Sequence, residues 1–277
     1  MKQNLWFRRS SVLFIIFWSL APIYWVINSS FQTDVQITDK PSHYFPPTPT
    51  LSNYRALLQG AGDIQDMIRR SLLNIIIECT AATIVTVVLA TLAAYTFARM
   101  KFRGAKFCYY LVLATMAFPA YTTLIPIYRI LSTFSLVNTY TGIVLTYVSG
   151  FLPLATWILH NYMASLPFAI EEAGEIDGAT RMQVLRYIIL PLALPGIAST
   201  AIITFLFAWS QFLFPLVLSS DLSTEPLTVA VAALQGRHVV PYSLLSAAGV
   251  LTLVVPALIA MTFNKFIVNG LVAGSAK

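Results

Sequence analysis

Four carboxylates fall within seven positions of this chain: Glu171, Glu172, Glu175 and Asp177, out of 11 acidic residues in 277. Catalytic or metal chemistry there would need partners that the chain does not supply. His43, His160 and His238 are scattered, each reading as an interfacial or loop residue. Cys79 and Cys108 are isolated and form neither a metal spacing nor a disulfide framework; they read as two small buried apolar residues. A G-x-x-x-x-G-K-[ST] phosphate loop, an H-E-x-x-H pair and a nucleophile elbow are all absent from the sequence. If the protein uses energy, another chain must hydrolyse the nucleotide. What remains for the acidic cluster is recognition, as a charged element that another protein grips.

The elements that must position this cluster are apolar. The chain is 57% hydrophobic and 10% charged, far below the roughly 25% charge of soluble domains. Runs long enough to cross ~30 Å of hydrocarbon cover 10–29, 71–98, 107–129, 139–162, 195–219 and 243–264. In lipid these must be helices, and the alternating strands of a membrane barrel do not occur. The fold expected is an all-α polytopic membrane protein with six transmembrane helices, read as one transmembrane domain over 1–277. The first run has a basic lead like that of a signal peptide, but it is too long for an h-region and carries Trp18, Pro22, Tyr24 and Trp25, so it reads as a retained span. Prolines 22, 119, 126, 153, 215 and 256 fall in five of the six runs and predict kinks.

Basic residues orient the spans. Of the 17, eleven fall on one side (Lys2, Arg8, Arg9, Arg99, Lys101, Arg103, Lys106, Arg181, Arg186, Lys265 and Lys277). The net charge of +6 is therefore spread along span ends, which is no nucleic-acid signature. The rule places both termini and the acidic loop 163–194 in the cytoplasm. It leaves 30–70 and 220–242 outside, the first stiffened by Pro46, Pro47 and Pro49 and carrying a short helix near 52–59.

The acidic loop has its own local grammar. Pro167 suits a first helical turn, and Glu171 and Glu172 sit early in that helix, where the dipole favours negative charge. Asp177-Gly178 breaks it. Thr180 and Gln183 have capping-box spacing for a second helix through Leu190, which Pro191 and Pro195 end. Ala173, Gly174, Gly178 and Ala179 leave faces without bulk, fit for a partner's groove. The competing picture is an amphipathic loop lying on the membrane, which clustered carboxylates beside an anionic leaflet disfavour.

Glu172-Ala173-Gly174-x-x-Asp177-Gly178-Ala179, followed by Ile188-x-Leu190-Pro191, resembles the EAA loop of binding-protein-dependent ABC importer permeases. Gly174 stands where a second Ala is usual, and Leu185 where an aromatic is usual. The stretches 92–104 and 207–214 resemble the end of the second span and the fifth span of maltose-type sugar permeases, with Ser210 where Asn is commoner, and the tail from Phe266 to Lys277 resembles the C-terminus of the smaller of their two permease subunits. The resemblance implies the ABC importer permease fold, with Glu172, Ala173, Gly174, Asp177, Gly178, Ala179 and Leu185 coupling to an ATPase. It implies a tail, 265–277, whose Asn269, Gly270, Ala273 and Gly274 reach the ATPase interface. The implied partners are a second homologous permease, a cytoplasmic ABC ATPase dimer, a substrate-binding protein facing 220–242, and membrane lipid. The implied site is the bacterial inner membrane. ATP and Mg belong to the partner ATPase; the chain itself calls for no cofactor and no metal, and is not an enzyme.

Candidate pathway residues are fewer. Glu78 is the only acid within a predicted span, a functional signal by default, against which stand snorkelling and pairing with Arg70. Asn74 shares its face at i−4. Trp209, Ser210 and Gln211 offer stacking and hydrogen bonds to a sugar, or packing between helices. Tyr121, Thr122 and Thr123 follow Pro119. The cargo implied is a di- or oligosaccharide or related glycoside. A phosphorylated polyol such as glycerol 3-phosphate is the near alternative, although no span clearly carries the Arg or Lys it would want. An ion-coupled secondary transporter would want an internal repeat and more intramembrane charge, and an intramembrane enzyme would want a catalytic constellation.

Overall fold

Long apolar runs become helices because lipid offers no partner for a free backbone N–H or C=O. The computed structural model describes residues 5–60, 62–237 and 241–273, which among themselves contain helices and no strand. In order these are α1 (Leu5–Ser30), α2 (Asp34–Thr38), α3 (Ser52–Leu58), α4 (Asp63–Arg99) and α5 (Ala105–Ala114) with a 3-10 turn at Thr115–Ala117. There follow α6 (Ala120–Thr133), α7 (Tyr140–Ser165), α8 (Ala169–Ile176) and α9 (Arg181–Gln183), then a π segment at Val184–Ile189. The chain continues as α10 (Leu190–Trp209), α11 (Leu213–Leu218), α12 (Leu227–Arg237) and α13 (Tyr242–Ala273).

Among the described residues five helices are long and apolar enough to cross a membrane: Trp6–Ser30, Asp63–Arg99, Tyr140–Ser165, Arg181–Trp209 and Tyr242–Asn264. The sixth expected span, 107–129, is not straight. Ala105–Ala117 and Ala120–Thr133 meet at 101°. Phe118 and Pro119 are both extended there, with ψ of 121° and 135°. A residue before proline avoids the α region, and proline has no N–H to continue the ladder.

Other boundaries also moved. Pro191 and Pro195 do not end the second loop helix, because α9, the π segment and α10 run on as one helix to Trp209. The wide π turn just before Pro191 relaxes the clash between the proline ring and the preceding turn. The fifth span then stops at Trp209 rather than 219, and α11 is a separate short helix. Helix α4 has 37 residues, about 55 Å of helix, so its first turns extend beyond hydrocarbon into what was read as outer loop. The expected short helix near 52–59 is α3, whereas α12 inside the second outer loop carried no such expectation. Cys79 is buried as expected, but Cys108 is exposed. His43 lies in the segment between α2 and α3, 3.6 Å from Asp39. His160 lies near the C-terminal end of α7 and stacks on Tyr109, with centroids 4.3 Å apart. His238 is outside the described residues.

Two compact units emerge. The first comprises residues 1–71 and 229–255. In it the segment after α1 folds back on the helix end. Asn53 donates to the carbonyls of Ser30 and Gln32 at 2.9 Å, and Tyr54 donates to the Ser30 hydroxyl at 2.7 Å. Asn28 donates to the His43 carbonyl at 3.1 Å, and the Ser243 N–H donates to Asp34 at 2.9 Å.

The second unit comprises 72–228 and 256–277. Its core joins Ala90, Ala94 and Tyr95 of α4, Ala155, Leu159 and Met163 of α7, and Val184, Leu185, Ile189 and Ala193. Small residues let helices approach closely where lipid supplies no hydrophobic drive between them. Gly196 shows this best: a Cβ there would lie 2.5–2.8 Å from the Tyr162 ring.

Candidate coupling loop and membrane cavity

The acidic loop is built largely from local rules. After α8, the Gly178 N–H bonds the Glu175 carbonyl at 3.1 Å and the Ala179 N–H bonds the Gly174 carbonyl at 3.0 Å. With Gly178 at φ 81°, this is a Schellman turn. The capping box read from Thr180 and Gln183 is present. The Gln183 N–H donates to Thr180 Oγ1 at 3.4 Å, and the Thr180 N–H donates to Gln183 Oε1 at 2.7 Å.

What holds the loop in place is not local. Arg99, the last residue of α4, lies 2.8 Å from Glu171 of α8, with both side chains buried. Its guanidinium also donates to the carbonyls of Met163 at 2.6 Å and Leu166 at 2.8 Å, closing the C-terminal end of α7. The Phe168 ring stacks 5.6 Å from the same guanidinium. One cation thus ties three helices. Burial pushes the Glu171 carboxyl above its ordinary range, Arg99 opposes that shift, and Glu175 adds to it.

Helix α8 therefore has two faces. Glu171 and Gly174 turn inward, and a Cβ on Gly174 would lie 2.6 Å from Ile188 Cδ1, so the glycine permits close approach to the π segment. Glu172, Ala173, Glu175, Asp177 and Gly178 are exposed, and Ile176 stands 85% exposed at the tip. Ala179 is half-buried. Leu185 is buried in the core with Val184 and Ile189, so it props the loop from behind and contributes nothing to its outer face. In the tail, Asn269, Gly270 and Ala273 continue α13 as backbone; Gly274 lies outside the described residues.

The bend between the 3-10 turn and α6 opens a cavity of about 470 Å³ in the second unit. Thr115, Thr123, Thr146, Ser149 and Gln211 supply polar groups to its wall, and Phe118, Phe151, Phe207 and Phe214 supply rings. Phe151 and Phe207 stack with centroids 6.2 Å apart and planes 22° from parallel. Among the described residues no lysine or arginine lines it.

Of the predicted pathway residues, Gln211 and Thr123 line this cavity. Tyr121, 79% exposed, and Thr122 do not. Trp209 is buried against Phe205 with ring centroids 5.8 Å apart, and Ser210 donates to the Phe207 carbonyl at 3.0 Å. Asn74 is occupied as a clamp. Its amide donates to the carbonyls of Leu222 at 3.2 Å and Glu225 at 3.0 Å, and it accepts from Tyr140 at 2.6 Å. Glu78 is fully buried, and neither of its oxygens has a hydrogen-bond partner among the described residues. Snorkelling is thereby excluded, and no Arg70–Glu78 ion pair exists among the described residues. Sequence reasoning missed Arg99 as a clamp and Ser149, Phe151 and Phe207 as cavity wall. Only Arg99 carried a signal, a cation at a span end.

A helical bundle with several membrane-length helices, a helix–turn–helix loop on one side and a lined cavity define a multi-pass membrane permease. Residues 86–272 match the family described as binding-protein-dependent transport system inner membrane component, and the chain belongs to that family. It is 34% identical over 259 residues to the trehalose/maltose transport system permease protein of Thermococcus litoralis, covering 93% of this chain and 91% of that one. It is 33% identical over 258 residues to the sulfoquinovosyl glycerol transport system permease protein of Agrobacterium fabrum, covering 93% and 89%. The fold is similar to a chain in the crystal structure of a bacterial ABC transporter that imports alginate, at TM-score 0.78, 21% identity and 95% and 96% coverage.

Proposed function

We propose that this chain forms half of the pathway of an ATP-driven importer of an oligosaccharide or related glycoside. A separate cytoplasmic ATPase dimer, holding ATP and Mg, grips the outer face of α8. A second permease subunit completes the pathway, and a binding protein delivers cargo to the opposite side. Both termini lie in the cytoplasm in this reading, which the basic residues of 99–106 support.

The observation that carries this reading is the α8 loop. Its exposed face presents Glu172, Glu175, Asp177 and the Ile176 knob, while its inner face is bolted to α4 and α7 through Arg99. An element held this way passes a push on α8 to two spans as a rigid body. The cavity supports a sugar: rings, hydroxyls and an amide share its wall, a combination that receives the apolar face and the hydroxyls of a pyranose. The lack of a cation in its wall favours glycoside over phosphorylated polyol. Relatives named for trehalose/maltose and for sulfoquinovosyl glycerol fit the same class.

The test is Glu172→Lys in the assembled complex. Uptake is expected to fall at least about tenfold, the scale of one lost charge-assisted contact, with insertion unchanged. Normal uptake by that variant would remove α8 from the coupling role.

A further inference from the structure

A basic hollow of about 870 Å³ sits where α4 turns into α5, walled by the segment 97–107 and Phe168. Arg99 is committed to Glu171 and to the end of α7. Lys101, Arg103 and Lys106 are exposed, and among the described residues ion pairs occur only at His43–Asp39 and Arg99–Glu171. Three cations therefore face one hollow with no carboxylate bound to any of them. The first turn of α5 forms part of the same wall and has no side-chain cap.

The apolar groups beside the hollow are equally specific. Phe107, Tyr110 and Leu111, at i, i+3 and i+4, share one face of α5. They are 72%, 65% and 57% exposed. This stripe starts at the cations and runs along a helix that belongs to the bent membrane pair.

We propose that the hollow is a headgroup site for an anionic phospholipid, with an acyl chain lying along the Phe107–Tyr110–Leu111 face. The phosphate answers the three cations, and the hydrocarbon answers the rings. An acidic protein surface would satisfy the cations but would leave the stripe uncovered. A glycerophospholipid satisfies both at once, because its charge and its apolar chain are joined at the depth where a span ends. The site depends on the membrane assignment of the chain, and not on its cargo or its ATPase.

The test uses the full chain in bilayer nanodiscs, with a fluorophore on exposed Cys108; Cys79 is buried and stays unlabelled. Brominated phosphatidylglycerol and brominated phosphatidylcholine are compared as quenchers at equal mole fraction. Anionic lipid is expected to be enriched at least about fivefold at the label, the effect of even one interfacial cation. K101Q/R103Q/K106Q should abolish the enrichment, and R8Q/R9Q, which removes cations elsewhere, should preserve it. Equal quenching by the two lipids in the wild type overturns the proposal, whether or not the triple variant inserts. Loss of enrichment in R8Q/R9Q overturns it too, since the effect would then be bulk charge. Loss of enrichment on adding the cytoplasmic partner subunits would make the hollow a protein-docking face and end the lipid assignment.

Discussion

Arg99 Nε stands 2.8 Å from Glu171 Oε1, joining the last residue of α4 to the first turn of α8 with both side chains buried. The same guanidinium closes the end of α7. Position and strength of the α8 loop therefore converge on one cation, and the two partners are not equivalent.

Removing Arg99 leaves a buried carboxylate without its counter-charge and strips two α7 carbonyls of their donor. Arg99→Met should cost about 3–5 kcal/mol, the usual result of breaking a buried pair from one side. Glu171→Gln should cost less, about 1–3 kcal/mol, because Arg99 keeps the Met163 and Leu166 carbonyls as partners. Thermal melting of the two purified variants checks the asymmetry; equal losses would refute it.

The raised Glu171 pKa has a signed consequence for pH. Its folded value lies above the unfolded one, so the stability it contributes is fully present below the unfolded pKa of about 4.3. That contribution is lost as pH rises through the folded value. Wild-type melting temperature should decline as pH climbs out of the ordinary carboxylate range, and Glu171→Gln should flatten that decline. A wild-type melting temperature that rises across the same interval would contradict the sign.

Two glycines test close packing. At Gly174 an added Cβ meets only the far end of Ile188, which can rotate away. Gly174→Ala should cost about 1 kcal/mol, the low end of overpacking. At Gly196 it meets three atoms of the Tyr162 ring. Gly196→Ala should cost about 2–3 kcal/mol, and the double variant with Tyr162→Leu should recover part of it. Chemical denaturation in mild detergent measures both.

The cavity makes a transport prediction. Phe207→Ala removes one ring of the Phe151–Phe207 stack, worth about 0.5–1.5 kcal/mol for an aromatic contact. The apparent affinity for cargo during uptake should weaken by roughly 2- to 13-fold on that scale, with insertion unchanged. An unaltered concentration dependence would place the pathway elsewhere.

Glu78 makes a stability prediction. It is fully buried, without a hydrogen-bond partner for either oxygen among the described residues, and it is not part of the cavity wall. Glu78→Gln should melt at or above the wild-type temperature, since a neutral amide is easier to bury than a carboxylate. Asn74→Ala should lower it by the equivalent of about 1–3 kcal/mol, through the two carbonyls left unpaired.

The sequence by itself determined whatever is set by neighbours in the chain. The Gly178 turn and the Thr180–Gln183 box were legible because each is closed by residues within five positions. The apolar runs were legible as helices because the bilayer imposes that answer on any such run. A tertiary contact was required wherever partners are distant. Arg99 finds the Met163 carbonyl 64 positions away, and Asn74 finds the Glu225 carbonyl 151 positions away. No pattern at either end announces such a pairing. The elbow at Phe118-Pro119 shows the division most clearly. Proline foretold a kink, but only the packing around it, α7 against α5 and the 3-10 turn and α11 against α6, turned it through 101° and made a cavity of it, because a missing N–H permits a bend without choosing its size or direction.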